Sequence, residues 1–267
     1  MTGDGVNDAP ALKDADIGIA MGITGTEVSK EAAAMILTDD NFATIIKAVE
    51  LGRGLYDNLV KYIRFQMGVL AGMIVTFLGS SILNIASGIP FLPLQTLWVN
   101  FTTQVFQAVG LGYGAPGEGL MERRPRKPDA PILSRDDTVW FVIAGVVMAA
   151  ATMGVIAGAE HEEGKEVART MGVTTFSIAN LFFSFTARDK LRSVFSLETF
   201  ADRTFIVASL LSAIAIIFAT ELQFFQRILQ TEELTGAQWA ICIAGGLVVV
   251  AASEIWKLRL RHQAGAS

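Results

Sequence analysis

Between Arg64 and Glu118 the chain contains no Asp, Glu, Lys or Arg. A helix needs about 20 mostly apolar residues to cross roughly 30 Å of hydrocarbon. The run is long enough for two crossings, with a turn near 84–93 (NIASGIPFLP), where Gly88, Pro90 and Pro93 punctuate the chain. Further uncharged runs at 138–159, 170–187, 204–220 and 234–253 each allow one crossing, with some tilt or flanking sequence where the run is short. The expectation is a mainly α membrane protein with six transmembrane helices. A soluble fold would have to bury several wholly apolar helices in one small domain, and that class is set aside.

Orientation follows from the basic residues of the loops. On one side of the six spans stand Arg53, Lys61, Arg64, Arg123, Arg124, Arg126, Lys127, Arg135, Arg188, Lys190, Arg192, Arg203, Lys257, Arg259 and Arg261. The other side has only Lys165, Arg169 and Arg227. The bias puts the first set and both chain ends in the cytoplasm, and the acidic loop EHEEGKE outside. The formal charge of −5 averages these unlike regions and says little about partners. Nothing in it points to nucleic acid. The one cysteine, Cys242, lies in the last apolar run and reads as a small packed side chain. His161 and His262 have no companions at metal-ligand spacing, and the first forty residues contain no apolar core of a signal peptide.

Those first residues are of another kind. DIGIAMG reads as a short buried strand ending in glycine. GTEVSKEAAA reads as a helix, with Thr24 and Glu27 at capping-box spacing, and MILTDDN as a second strand running into an acidic turn. Two strands and a helix cannot cover both faces of a parallel sheet, and so small a domain is marginal by surface-to-volume alone. The head is therefore expected to be the end of a doubly wound α/β domain, with Met1 at a truncation boundary. In the opening MTGDGVNDAP, Asp4 and Asp8 flank Asn7 in a glycine-flexed loop. Two carboxylates and an amide suit Mg²⁺, which takes oxygen ligands and few of them from protein when phosphate is present. A solvated turn is the plain alternative.

TGDGVNDAPALKDADIGIAMG resembles the hinge signature of P-type ion-pumping ATPases, members of the haloacid-dehalogenase-like phosphoryl-transfer enzymes. DDNFATIIKAVELGRGLYDNLVKYIRF resembles the stalk leading into that family's fifth membrane helix. LWVNFTTQ resembles its sixth helix and LMERRPRKPDAPIL its next cytoplasmic loop. The resemblance covers essentially the whole chain and is nearest to the calcium-pump-like branch. It implies four regions: the C-terminal remnant of an α/β phosphorylation domain (1–48), a stalk (49–64), a six-helix membrane domain (65–257) and a cytoplasmic tail (258–267). It further implies a multi-pass protein of the plasma membrane, in contact with lipid. ATP would be bound by a missing N-terminal half, and a phosphoryl group carried on an upstream aspartate of an Asp-Lys-Thr-Gly motif. That motif does not occur here, so this chain alone is expected to be inactive. By resemblance Asp4 would hold Mg²⁺, and Asn7 and Asp8 would support the phosphate and the loop.

Asn100, Thr103 and Gln104 are spaced i, i+3, i+4, which puts them on one face of an α-helix, with Thr102 and Gln107 nearby. Polar side chains in a span most often join helices. The resemblance makes this face part of an ion site instead, with Ser177 and Asn180 of TTFSIANLFFSF as weaker candidates. The calcium-pump branch would have acids where Gln104 and Ser177 stand, and Asn and Glu in the first span. Their absence leaves the cation open and admits a second reading, a transport-deficient module that keeps the pump fold. GYGAPG at 112–117 matches G-x-G-x-x-G but follows a span and opens no helix, so it reads as an exit turn. The basic cluster ERRPRKP reads as a topology determinant and coupling contact rather than a lipid site.

Overall fold

A computed structural model describes residues 1–114, 119–127, 129–195 and 202–265. GYGAPG therefore lies partly outside the described residues, as does Pro128 of the basic loop. The chain divides into two compact units, the first comprising residues 1–56 with 119–124 and the second the remainder.

In the first unit, β1 (Thr2–Gly3), β2 (Ile19–Met21) and β3 (Met35–Leu37) form a parallel sheet in the order β1-β2-β3. Thr2 pairs with Ile19 and Ile19 with Met35. Parallel neighbours require crossovers, supplied by α1 (Ala9–Asp14) and α2 (Glu27–Ala32). Ile19 and Ala20, the apolar centre of DIGIAMG, are buried in the middle strand together with Leu12 of α1. Pro10 opens α1, where its missing N–H costs nothing. At Gly18 a Cβ would stand 2.1 Å from the Leu12 carbonyl oxygen, so only glycine lets the chain turn back into β2.

The expected cap of α2 is corrected. Thr26, not Thr24, precedes the helix, and its hydroxyl accepts from the Ser29 N–H at 3.3 Å. Thr24 is drawn away, because its amide and hydroxyl both donate to Asp40, each at 2.8 Å. The head also holds one strand and one helix more than the two strands and single helix expected.

The 42-residue helix α3 (Phe42–Leu83) runs from the acidic turn into the second unit. There it is followed by α4 (Pro93–Trp98), a π-helical stretch (Val99–Gln104) and α5 (Val105–Gly112). Then come α6 (Arg135–Glu162), α7 (Lys165–Ala187), α8 (Arg203–Glu221), the short α9 (Gln223–Leu229) and α10 (Gly236–Gly265). Among the described residues, four helices are long and apolar enough to cross a membrane: Phe42–Leu83, Arg135–Glu162, Arg203–Glu221 and Gly236–His262. The other two expected crossings are helical but more polar. One is 93–112, divided by the π turn. The other is α7, where Thr170, Thr174, Thr175, Ser177, Asn180 and Ser184 are all buried. α7 packs against α6, α10, α8 and the π stretch, so its polar groups face protein rather than lipid. Outward faces of the apolar helices carry residues such as Leu70, Ile74, Val142, Val146, Leu210, Ile214 and Leu247.

Small residues let the backbones approach. Gly68 and Gly72 of α3 meet Gly145 of α6, while Gly245 and Gly246 of α10 meet Thr175 and Ile178 of α7. Around them Phe65, Phe91, Trp140, Phe176 and Phe183 form the core. At the α6 N-terminus, capped by Ser134, Asp137 is buried and paired with Arg64 at 3.1 Å and Lys190 at 3.4 Å, as a buried charge requires. Cys242 is buried, with its thiol 3.4 Å from the Met171 carbonyl, which fits a packed side chain.

Candidate functional site

The candidate residues fall into two groups, one in each unit. In the first unit the loops after β1, β2 and β3 emerge at one edge of the sheet, the carboxyl ends of its strands, where open α/β sheets bind their ligands. Asp8 turns back on its own loop and accepts from the Asp4 and Gly5 amides at 3.1 and 3.0 Å. Gly3 makes room for it, since a Cβ there would come 2.6 Å from the Asp8 Cβ. The Asp4 carbonyl accepts from the Thr26 amide at 2.8 Å and from the Ser29 hydroxyl at 3.1 Å. These bonds fix the backbone of Asp4 and leave its carboxylate exposed at the strand end, with the Asn7 side chain exposed nearby.

Asp40 performs the matching task at the other side of the edge. It accepts from the Gly22, Ile23 and Thr24 amides at 2.6, 3.0 and 2.8 Å. Those bonds, the Ile23 amide foremost, together hold its carboxyl down to about 2 against the opposing effect of desolvation. The sequence alone shows only an acidic turn here. The donors are sixteen to eighteen positions away, and no local signal names them.

No group of three or more His, Cys, Asp or Glu side chains able to hold a metal is present among the described residues. The donor set at the strand edge is one presented carboxylate, Asp4, with a second, Asp8, largely committed to the loop. That is few for a metal held by protein alone. It fits Mg²⁺ only in the mode in which phosphate and water complete the shell.

In the second unit the VNFTTQ stretch is a π-helix, a form seen mostly as short insertions and often at functional sites. Its i→i+5 bonding shifts the side chains off the expected single face. Thr103 and Gln104 are buried, while Asn100 is exposed. Gln104 still reaches Asn100, its Nε2 donating to Oδ1 at 2.6 Å, and its Oε1 accepts from Gln66 of α3 at 3.1 Å. Gln66, the lone amide at the head of the first apolar run, joins the site without any local signal in the sequence to announce it. Further along, Gln107 donates to Ser212 of α8 at 3.0 Å and accepts from Ser184 of α7 at 2.6 Å. That set joins helices and is internally satisfied.

The remaining candidates divide. Ser177 bonds the Val173 carbonyl of its own helix at 2.7 Å. With Gln95, Trp98, Thr174 and Thr231 it lines a small cavity between α4, α7, α8 and α9. Asn180 is wholly buried, and neither its amide nitrogen nor its oxygen has a hydrogen-bond partner among the described residues. The hydroxyls of Thr103 and Thr174 are equally buried and unpartnered. No hydrogen bond joins Ser177 or Asn180 to Asn100, Thr103 or Gln104 among the described residues. An unsatisfied buried polar group costs about 1–3 kcal/mol, and native proteins normally cover such groups with water or an ion. The neighbourhood of the π stretch and α7 therefore carries neutral oxygen atoms without a protein partner, and no carboxylate stands among these candidates.

Comparison with known proteins places these features in context. Residues 88–259 match the family described as Cation transporting ATPase, C-terminus. The chain is 37% identical over 270 residues to the probable cation-transporting ATPase F of Mycobacterium bovis, covering 98% of this chain and 29% of that protein. It is 38% identical over 246 residues to a calcium-transporting ATPase of Bacillus subtilis, covering 91% of this chain and 27% of the relative. It is 38% identical over 268 residues to calcium-transporting ATPase 1 of Schizosaccharomyces pombe, covering 98% and 29%. The chain thus spans less than a third of the length of these relatives.

Proposed function

The chain belongs to the P-type cation-transporting ATPases, as an integral membrane portion matching their carboxy-terminal part, and from that premise we propose how it serves an ATP-driven cation pump. Residues 1–48 are the end of a haloacid-dehalogenase-like phosphorylation domain, 49–64 a stalk, 65–257 a six-helix membrane domain and 258–267 a cytoplasmic tail. Both ends face the cytoplasm, and the membrane is the plasma membrane. ATP is bound, and the phosphoryl group accepted on an aspartate, in a part of the pump outside this chain. Asp4 would hold Mg²⁺, which neutralises phosphate charge where catalysis is mainly electrostatic. Asp8 shapes the loop through the Asp4 and Gly5 amides, and Asn7 stands beside the phosphate. The stalk relays the phosphorylation state to the membrane helices, which open alternately to the two sides.

The observation that carries the transport reading is the set of buried, unpartnered oxygens on Thr103, Thr174 and Asn180. The cation site is built around Asn100, Thr103 and Gln104, with Ser177 and Asn180 contributing from α7. These ligands are neutral, and a divalent cation entering a membrane usually needs carboxylates. The negative charge therefore comes from helices outside this chain, and the site holds one cation rather than two per cycle. In the intact pump, Asn100→Ala and Gln104→Ala should each weaken cation-activated ATPase activity at normal protein level and insertion. Gln104→Asp should change ion preference or pH dependence, because it adds a titratable charge. Activation by the same ions at the same concentrations in all three variants would mean that the polar face only joins helices. The same lack of carboxylates favours the second reading, a transport-deficient module. That reading requires no cation-dependent activity in the intact protein. Asp4→Asn separately tests the head: Mg²⁺-dependent phosphorylation should fall strongly in the intact pump.

A further inference from the structure

The turn after α3 has an unusual backbone. Asn84, Ala86 and Ser87 have φ of 55°, 52° and 57°, in the left-handed region, which residues with a side chain adopt singly and at a cost. Ala86 is fully buried, so its amide and carbonyl cannot turn to water. The Ile89 amide donates to the Ala86 carbonyl at 3.3 Å within the turn, and two other helices supply the remaining partners. Glu160 of α6 accepts from the Ala86 amide at 2.9 Å. Arg169 of α7 donates through Nη2 to the Ala86 carbonyl at 3.1 Å and through Nε to the Ile89 carbonyl at 3.0 Å. Lys165 adds a bond to the Ser87 hydroxyl at 2.6 Å.

What the turn connects gives this clamp its consequence. Beyond it Phe91 packs edge-on against Phe77 of α3 and tilted against Phe176 of α7. Then the chain enters α4 and the π stretch with Asn100, Thr103 and Gln104. Arg169 stands on the same helix as Ser177 and Asn180, about two and three turns before them. Arg169 therefore ties both strings of candidate ligands together at this end, while Glu160 braces the same turn from α6.

We propose that Glu160 and Arg169 are positioning residues of the cation site, fixing the axial offset between the π stretch and α7 through the backbone of the 84–89 turn. This rests on the reading of those two segments as the site. The left-handed backbone sharpens the effect. A turn held against its own preference moves toward an ordinary conformation when a holding bond is lost, so the offset changes rather than merely loosening. Arg169 uses two separate nitrogens, and lysine can replace only one of them.

The test uses the full-length pump in membranes, with cation-activated ATPase activity and thermal stability as readouts. Arg169→Gln should raise the half-activating cation concentration about threefold or more, with a smaller change in maximal rate. Arg169→Lys should fall between this variant and the parent. Ala86→Gly keeps both backbone groups and removes the left-handed penalty. Combined with Arg169→Gln, it should return half-activation toward the parent value, a rescue that general loss of stability would not allow. Glu160→Ala carries the test if Arg169→Gln fails to accumulate. Parental half-activation in Arg169→Gln and Glu160→Ala, alongside a shift in Gln104→Ala, would overturn the positioning role and leave the site intact. If Gln104→Ala does not shift either, the site itself falls, and the positioning role with it.

Discussion

Gly145 of α6 lies against the backbone of Gly72 of α3, so closely that a Cβ on Gly145 would stand 2.7 Å from the Gly72 nitrogen and 2.9 Å from the Gly68 carbonyl oxygen. The obstructing atoms are backbone and cannot swing aside. Gly145→Val should therefore destabilise the membrane unit by about 1–3 kcal/mol, the usual cost of overpacking. Gly154, on the same helix, has nothing within 4 Å of its Cβ position. Gly154→Ala should be neutral or slightly stabilising, since alanine is the better helix former by about 1 kcal/mol. Thermal unfolding of both variants in detergent checks the pair, and equal behaviour would refute the close contact.

The Asp40 carboxyl makes the head acid-sensitive in a defined window. Its folded pKa, about 2, lies below the ordinary 3.8, so its stabilising contribution is complete above about 3.8 and is lost as pH falls through about 2. Protection of the Gly22, Ile23 and Thr24 amides from exchange, relative to their intrinsic rates, should fall over that interval. Asp40→Asn should show lower protection already at neutral pH and little further change on acidification. Identical protection profiles for the two proteins would remove Asp40 from this role.

Asn180 separates function from packing. Replacing an unpartnered buried amide with a side chain of similar size and no polar atoms relieves a desolvation cost. Asn180→Leu should keep or raise thermal stability while weakening cation activation of the intact pump. Lost stability with unchanged activation would instead make the amide part of the packing.

Topology can be checked directly. Reporter fusions after Ser87, Glu163 and Gln230 should read external, and those after Lys127 and Lys190 cytoplasmic. A cytoplasmic reading at Glu163 would remove a span from the proposed six.

Several elements were legible for simple physical reasons. Wholly apolar runs of about 20 residues leave a chain little choice but helix, and the helices lie where those runs lie. The buried strand in DIGIAMG was equally plain. What escaped depended on distant partners. Thr24 and Thr26 are two residues apart and similar in chemistry, and only the pull of Asp40 on Thr24 decides which one caps α2. GVLAG at 68–72 is a visible G-x-x-x-G, but nothing local names Gly145 as its counterpart. The polarity of α7 is explained only by the helices packed around it. At the candidate ion site the residue types were readable and their convergence was not, because the i, i+3, i+4 rule assumes an α-helix where the chain forms a π turn.

That π turn has a consequence for every experiment that walks along this segment. A scan of single cysteines across 93–112, probed for accessibility, should show one helical rhythm before Val99 and the same rhythm after Gln104, with a slip in phase between them. An analyst drawing a single helical wheel would assign Asn100 and Thr103 to the same wall, when one is exposed and the other buried. Deleting one residue there would let the stretch close as an α-helix in a single phase, with the side chains after Gln104 keeping the faces they have, whereas inserting one would carry the slip further.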